Sequence, residues 1–253
     1  MRIVTWNCGG GGFRKKAARM AALRPDVLVV QEVEKLDNQL FLDGDRQPTF
    51  LWRTPVGGSI RGLAVLSYSG VELRPAFDEA HPLDGFYPFE ATWGELEFHV
   101  AGVWTFETRG SRRTSYRQAQ AGVEKYADWL VEKPSIILGD FNANASYRDG
   151  GVWRSLWERL EPLGFVSAYH HFFDEPFGAE RSSTYFHKGH ESEKKWHVDY
   201  CFIPAAWRER LRHVEVGDFA SWQGVSDHRP VVVDVDVDAD GGRLAADAAT
   251  VKT

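Results

Sequence analysis

The stretch DVLVVQEV, Asp26 to Val33, decides how this chain is built. Val27 to Val30 are all aliphatic, with no polar residue alternating between them. A strand of that kind turns neither face to water and needs cover on both sides. The run then reaches Glu32, an acid in a setting where acids are depleted.

Seven further strand patterns surround it. They are RIVTWN (Arg2 to Asn7), GLAVLSY (Gly62 to Tyr68), FEATWG (Phe89 to Gly94), LEFHVAGVW (Leu96 to Trp104), SIILGDF (Ser135 to Phe141), HVDYCFI (His197 to Ile203) and RPVVVDVDV (Arg229 to Val237). Helical periodicity falls between them. Phe13, Ala17, Met20 and Ala21 share one face before Pro25 stops the run. Ser115 and Gln118 have capping-box spacing ahead of Ala119, Val123, Tyr126, Ala127 and Leu130, read as one helix ending at Lys133–Pro134. Trp153, Leu156, Trp157 and Leu160 repeat at helical spacing, so these tryptophans are read as packing. Many strands, few helices and some strands buried on both faces imply two packed sheets with helices outside. One domain is expected over residues 1–238, with a polar, small-residue tail over 239–253.

The 253 residues are enough to bury a sizeable core. No apolar run is long enough to span a bilayer. The opening MRIVTWNCGG reads as a strand and not as a signal peptide, and two cysteines make no disulfide framework. A reduced cytoplasmic protein is expected. A net charge of −6 argues against holding duplex DNA by bulk charge alone, which needs many phosphate contacts, though a local basic patch would serve.

Chemistry collects at strand ends. Asn7, Glu32, Asp140 with Asn142, Asp199, and Asp227 with His228 lie on five separate elements. Any one of them could be a turn former; together they mark a site. Carboxylate and amide oxygens are hard ligands, suited to Mg²⁺ or Mn²⁺ and not to zinc. A separate Asp could orient water, and an Asp–His pair fixes a tautomer and aims a proton donor. These parts suit metal-assisted hydrolysis of a phosphate ester.

TWN, QEVE, ILGDFNA, HVDYCF and SDHRPV occur in the order found in the exonuclease–endonuclease–phosphatase superfamily, which the chain resembles from Thr5 to about Val233. The superfamily includes apurinic endonucleases, deoxyribonuclease and inositol polyphosphate phosphatases. The resemblance implies a four-layer α/β/β/α sandwich with two mixed β-sheets packed face to face. It implies that Glu32 is the main metal carboxylate, with Asn7 and Asp227 beside the metal. It gives Asp140 the water, Asn142 the phosphate, and His228 the scissile phosphate with Asp199 behind it. Two departures stand out. Trp104 occupies the position where the family often carries His or Tyr, and an indole cannot shuttle a proton. Gly9 stands where some family nucleases carry a second acid.

Substrate contacts are expected from Trp104, from Arg112, Arg113 and Arg117 near a helix N-terminus, and from His197. A solvated basic turn explains the arginines equally well. The leading expectation is a divalent-metal-dependent phosphodiesterase or nuclease using Mg²⁺ or Mn²⁺. Its partner is a phosphate-ester substrate, with nucleic acid foremost and no membrane. A small-molecule or inositol-type phosphomonoesterase comes next, and a non-catalytic binding module on the same fold last.

Overall fold

Two six-stranded sheets form the centre of the computed structural model, which describes residues 1–36, 48–55, 58–77, 83–106, 114–146, 150–187, 190 and 196–237. The first sheet holds β1 (Arg2–Asn7), β2 (Val27–Glu34), β3 (Thr49–Arg53), β4 (Arg61–Ser67), β11 (Leu211–Val216) and β12 (Val231–Val235), in the order β11-β12-β1-β2-β4-β3. The second holds β5 (Glu72–Pro75), β6 (Phe86–Trp93), β7 (Leu96–Trp104), β8 (Ser135–Asp140), β9 (Phe165–Ser167) and β10 (Asp199–Pro204), in the order β5-β6-β7-β8-β10-β9. Each sheet has one parallel pair near its middle, β1 with β2 and β7 with β8; the other pairings are antiparallel. Both sheets are therefore mixed.

The two-residue period of a strand sorts the core into three apolar layers. Ile3, Val27, Val29 and Leu63 of the first sheet meet Phe98, Val100, Ile136, Leu138, Cys201 and Ile203 of the second. Their neighbours Val4, Leu28, Val30 and Ala64 turn the other way, onto Phe13, Ala17 and Met20 of α1 (Ala17–Ala22) and its leading 3₁₀ turn. Ile137, Tyr200 and Phe202 face α2 (Thr114–Lys125), α3 (Ala127–Glu132) and α4 (Gly150–Leu160). Helix, sheet, sheet, helix is the expected four-layer sandwich. Trp153 stacks on Tyr200 at 4.3 Å between ring centroids, so that indole packs as its helical spacing implied.

Two local readings are corrected. The single helix expected after Ser115 is two, broken at Tyr126, whose φ of −110° and ψ of 18° leave the helical region. Gln118 makes a tertiary contact: its Oε1 accepts from the Phe106 N–H at 3.0 Å. The tail expected over 239–253 lies outside the described residues. Among the described residues no helix is long and apolar enough to cross a membrane.

Candidate active site

Strand direction brings the polar residues to one end of the sandwich. β1 finishes at Asn7 and β8 at Asp140, while antiparallel β10 starts with Asp199 directly opposite Asp140. The two sheets meet here through one amide. Asn7 Nδ2 donates to Asp140 Oδ2 at 2.9 Å and to Glu32 Oε1 at 3.2 Å. Its Oδ1 accepts from the Gly9 N–H at 3.0 Å. Asn7 therefore links the two acids.

Glu32 owes its aim to a defect in its strand. The β2–β4 register slips between Val30 and Val33, and Glu32 has φ of 58°. A bulge of this kind redirects a side chain that regular pleating would leave elsewhere. The glycine turn after β1 then closes over the carboxylate, with the Gly10 N–H donating to Glu32 Oε2 at 2.7 Å. Arg61 Nη1 reaches the same oxygen at 3.3 Å. At Gly9 a Cβ would stand 2.8 Å from Ser226 Oγ and 3.0 Å from Asp227 Oδ1. An acid could not fit there without displacing the segment that carries Asp227.

Deeper in, three ionisable groups form a line. His228 Nδ1 pairs with Asp199 Oδ2 at 2.9 Å, and His228 Nε2 lies 3.9 Å from Asp140 Oδ2. Thr184 Oγ1 fixes the base of the line by accepting from the Val198 and Asp199 N–H groups at 2.9 and 3.0 Å. Asp140 Oδ1 accepts from the Asn142 N–H at 2.8 Å. Asn142 Nδ2 donates to Asp140 Oδ2 at 3.0 Å and to the Thr105 carbonyl at 2.7 Å. Both amide hydrogens of Asn142 thus brace the Asp140 turn.

Burial sets the charge states of this line. It raises Asp140 to about 7, against the opposing influence of His228. Burial alone would lower His228, but Asp199 and then Asp140 outweigh it and raise the imidazole to about 10. His228 is therefore a cation at neutral pH, lying between Asp199 and an Asp140 carboxyl near its balance point.

The ligand atoms of Asp140, Asp199 and His228 lie within 4.8 Å of one another, close enough to suggest a metal cage. Their chemistry argues otherwise. A protonated imidazole has no lone pair to give a metal. The donor set that fits a hard divalent ion is the outer one. Glu32 and Asp227 line one open cleft of about 490 Å³ with Gly9, Gly10 and Ser226.

The expected substrate contacts fare differently. Trp104 is only 7% exposed and packs between the sheets, 5.0 Å from Phe106, so it forms core wall. His197 is a clear correction. Its ring is fully buried, Nδ1 pairs with the Ser182 carbonyl at 2.9 Å, and Tyr169 and Tyr200 pack against it. A group with no surface cannot touch a substrate. Arg117 is exposed on α2, whereas Arg112 and Arg113 lie outside the described residues. Two residues at the site escaped the sequence reading. Arg61 opens the strand that pairs with the Glu32 strand, and a basic residue at that register was a readable signal. Tyr185 packs against His228 with ring centroids 4.8 Å apart and the rings tilted by 45°, and nothing local in the sequence marked it.

Comparison with known proteins agrees with this geometry. The model of the Endonuclease/Exonuclease/phosphatase family matches residues 4–228. The exodeoxyribonuclease of Bacillus subtilis is 24% identical over 271 residues, covering 94% of this chain and 100% of that protein. Among solved structures, the 3′ phosphatase NExo from Neisseria, bound to product DNA hairpin, superposes with a TM-score of 0.68 at 21% identity, covering 94% of this chain and 100% of that one. An AP endonuclease from Archaeoglobus fulgidus gives 0.66 at 17% identity, with the same coverage. The matched span contains every strand end that carries Asn7, Glu32, Asp140, Asp199 and His228, and the chain belongs to the Endonuclease/Exonuclease/phosphatase family.

Proposed function

We propose that this protein is a divalent-metal-dependent phosphodiesterase acting on nucleic acid, and that it cleaves the phosphate ester by attack of water. The observation that carries this reading is the buried line Asp140–His228–Asp199, with Asp140 raised to about 7 beside a histidine cation. A general base works best when its pKa lies near the working pH. Asp140 meets that condition, and its oxygens are oriented by Asn7 and Asn142. It would take the proton of the attacking water. His228, oriented by its Nδ1 contact with Asp199, would present its Nε2–H to the phosphoryl oxygens as charge develops on them.

Glu32 and Asp227 would hold the ion, because they supply hard oxygens to one cleft and Asn7 ties Glu32 to Asp140. When bound, Mg²⁺ or Mn²⁺ supplies Lewis-acid polarisation of the phosphate. The family's nuclease relatives support nucleic acid as the substrate class. One observation favours a second reading, a phosphomonoesterase: the Neisseria neighbour is described as a 3′ phosphatase.

The test is hydrolysis of bis(p-nitrophenyl) phosphate against p-nitrophenyl phosphate, with Mg²⁺ or Mn²⁺. Diester turnover by the wild type should fall on the order of 10²- to 10⁴-fold in Asp140→Asn. Calorimetry should show Mg²⁺ binding that Glu32→Ala abolishes. Turnover of the monoester alone would move the assignment to the phosphomonoesterase. Equal Mg²⁺ binding by wild type and Glu32→Ala, with neither ester cleaved, would favour a non-catalytic module.

A further inference from the structure

The cleft is rich in acceptors and its amide donors are already engaged. Both hydrogens of Asn7 Nδ2 go to Glu32 and Asp140, and both hydrogens of Asn142 Nδ2 go to Thr105 and Asp140. The Ser226 hydroxyl donates to the Asn7 carbonyl at 2.8 Å, and the Gly10 N–H serves Glu32. Arg61 faces the same carboxylate. A dianionic or monoanionic phosphate entering this cleft needs donors beyond the His228 Nε2–H.

Tyr185 is differently placed. Its backbone is pinned on both sides: its N–H donates to the Trp196 carbonyl at 2.9 Å, and it bridges antiparallel to His228. The adjacent Phe186 N–H donates to the Asp227 carbonyl at 2.7 Å. Thr184 and Phe186 are buried, so alternation turns the half-buried Tyr185 ring outward, onto His228. Among the described residues its hydroxyl meets His187 Nδ1 at 3.4 Å, at the long limit for a hydrogen bond. Burial first, then the charges of Asp227, Asp140 and Glu32, raise the phenol above its ordinary value. The phenol therefore keeps its proton and can donate.

We propose that Tyr185 is a catalytic residue of this site: its hydroxyl donates a hydrogen bond to an oxygen of the bound phosphate, beside the His228 Nε2–H. The proposal rests on the phosphoesterase reading for its substrate, but not for its test, because inorganic phosphate probes the same contact without turnover.

The experiment compares wild type with Tyr185→Phe, which keeps the ring against His228 and removes only the hydroxyl. Binding of inorganic phosphate in the presence of Mg²⁺ should weaken about tenfold to a hundredfold, as for a lost hydrogen bond to a charged group. Mg²⁺ affinity and melting temperature should stay as in the wild type. Turnover of bis(p-nitrophenyl) phosphate should fall by a similar factor. Unchanged phosphate affinity overturns the proposal. So does weakening matched by equal losses in Mg²⁺ affinity or melting temperature, which would mark a structural role. A wild type that binds phosphate through Tyr185 yet cleaves no ester would sink the enzyme reading and leave the contact standing.

Discussion

His228 and His197 are both buried imidazoles, 5% and 0% exposed, and they end in opposite charge states. His228 is raised to about 10 and His197 is lowered to about 4. Burial is the largest influence on each and disfavours the cation in both. The difference lies in what faces the ring. His228 has Asp199 at 2.9 Å on one nitrogen and Asp140 at 3.9 Å from the other. His197 has a neutral carbonyl on Nδ1, no partner for Nε2 among the described residues, and His170 nearby. Burial amplifies whatever charge is left beside a group. The same sandwich interior makes one histidine a cation at neutral pH and the other a neutral packing element.

Asp199→Asn should produce the largest effect. Without the carboxylate, the His228 environment becomes more like that of His197, and the imidazole should titrate several pH units lower by NMR. Turnover should drop on the order of 10²- to 10⁴-fold. The stability profile changes as well. A raised histidine contributes stability that is fully present below pH 6.5 and lost as pH rises through about 10. In Asp199→Asn that alkaline loss should disappear from urea unfolding curves. If His228 stayed raised in the variant, Asp140 would be its main support and the comparison would need redrawing.

How far these features could be read in advance follows a similar rule. All eight strands found in the sequence are interior strands of the sheets. The four missed, β3, β5, β9 and β11, are the four edges. Edge strands are half-solvated, so β5 reads Glu-Leu-Arg-Pro and β11 carries Arg212, His213 and Glu215 among its apolar residues. They join a sheet through backbone pairing, which leaves little mark on side-chain pattern. The strand ends at Asn7, Glu32, Asp140 and Asp199 were legible because acids and amides there conflict with strand propensity. His197 misled because it stands beside Asp199 in sequence. Two residues along a strand share a face only if regular pleating holds, and Val198 precedes the first residue of β10. Tyr185 was silent because its contact with His228 spans a long loop and depends on one isolated bridge.

His197→Phe should have a smaller effect, and on stability alone. Wild-type His197 is neutral when folded down to about pH 4, whereas the unfolded chain takes up its proton near pH 6.5. Between those values the unfolded state holds more protons, so stability falls as pH falls. The loss is on the order of 3 kcal/mol by pH 4. Phe leaves the Ser182 carbonyl without its donor, about 1–3 kcal/mol at every pH. Yet the part of the acid slope due to His197 should vanish when the two proteins are unfolded side by side from pH 8 to pH 4. Turnover at pH 8 should stay within about threefold, because the ring has no route to the substrate. A loss comparable to that of Asp199→Asn would return His197 to the active site.

Arg61→Ala gives the smallest expected effect and tests the amplifying role of burial from the other side. Arg61 and Glu32 are as clearly opposite in charge as His228 and Asp199, at 3.3 Å. Their side chains are 42% and 27% exposed, against 6% and 0% for His228 and Asp199. Water screens the first pair and not the second, so Arg61→Ala should change unfolding free energy by about 0–1 kcal/mol and less in 0.5–1 M salt. Urea titrations at low and high salt measure this directly. A cost of 3 kcal/mol or more, insensitive to salt, would show that charge proximity alone sets these energies. His228 would then owe its cationic state to the distance of Asp199 and not to the dryness around it.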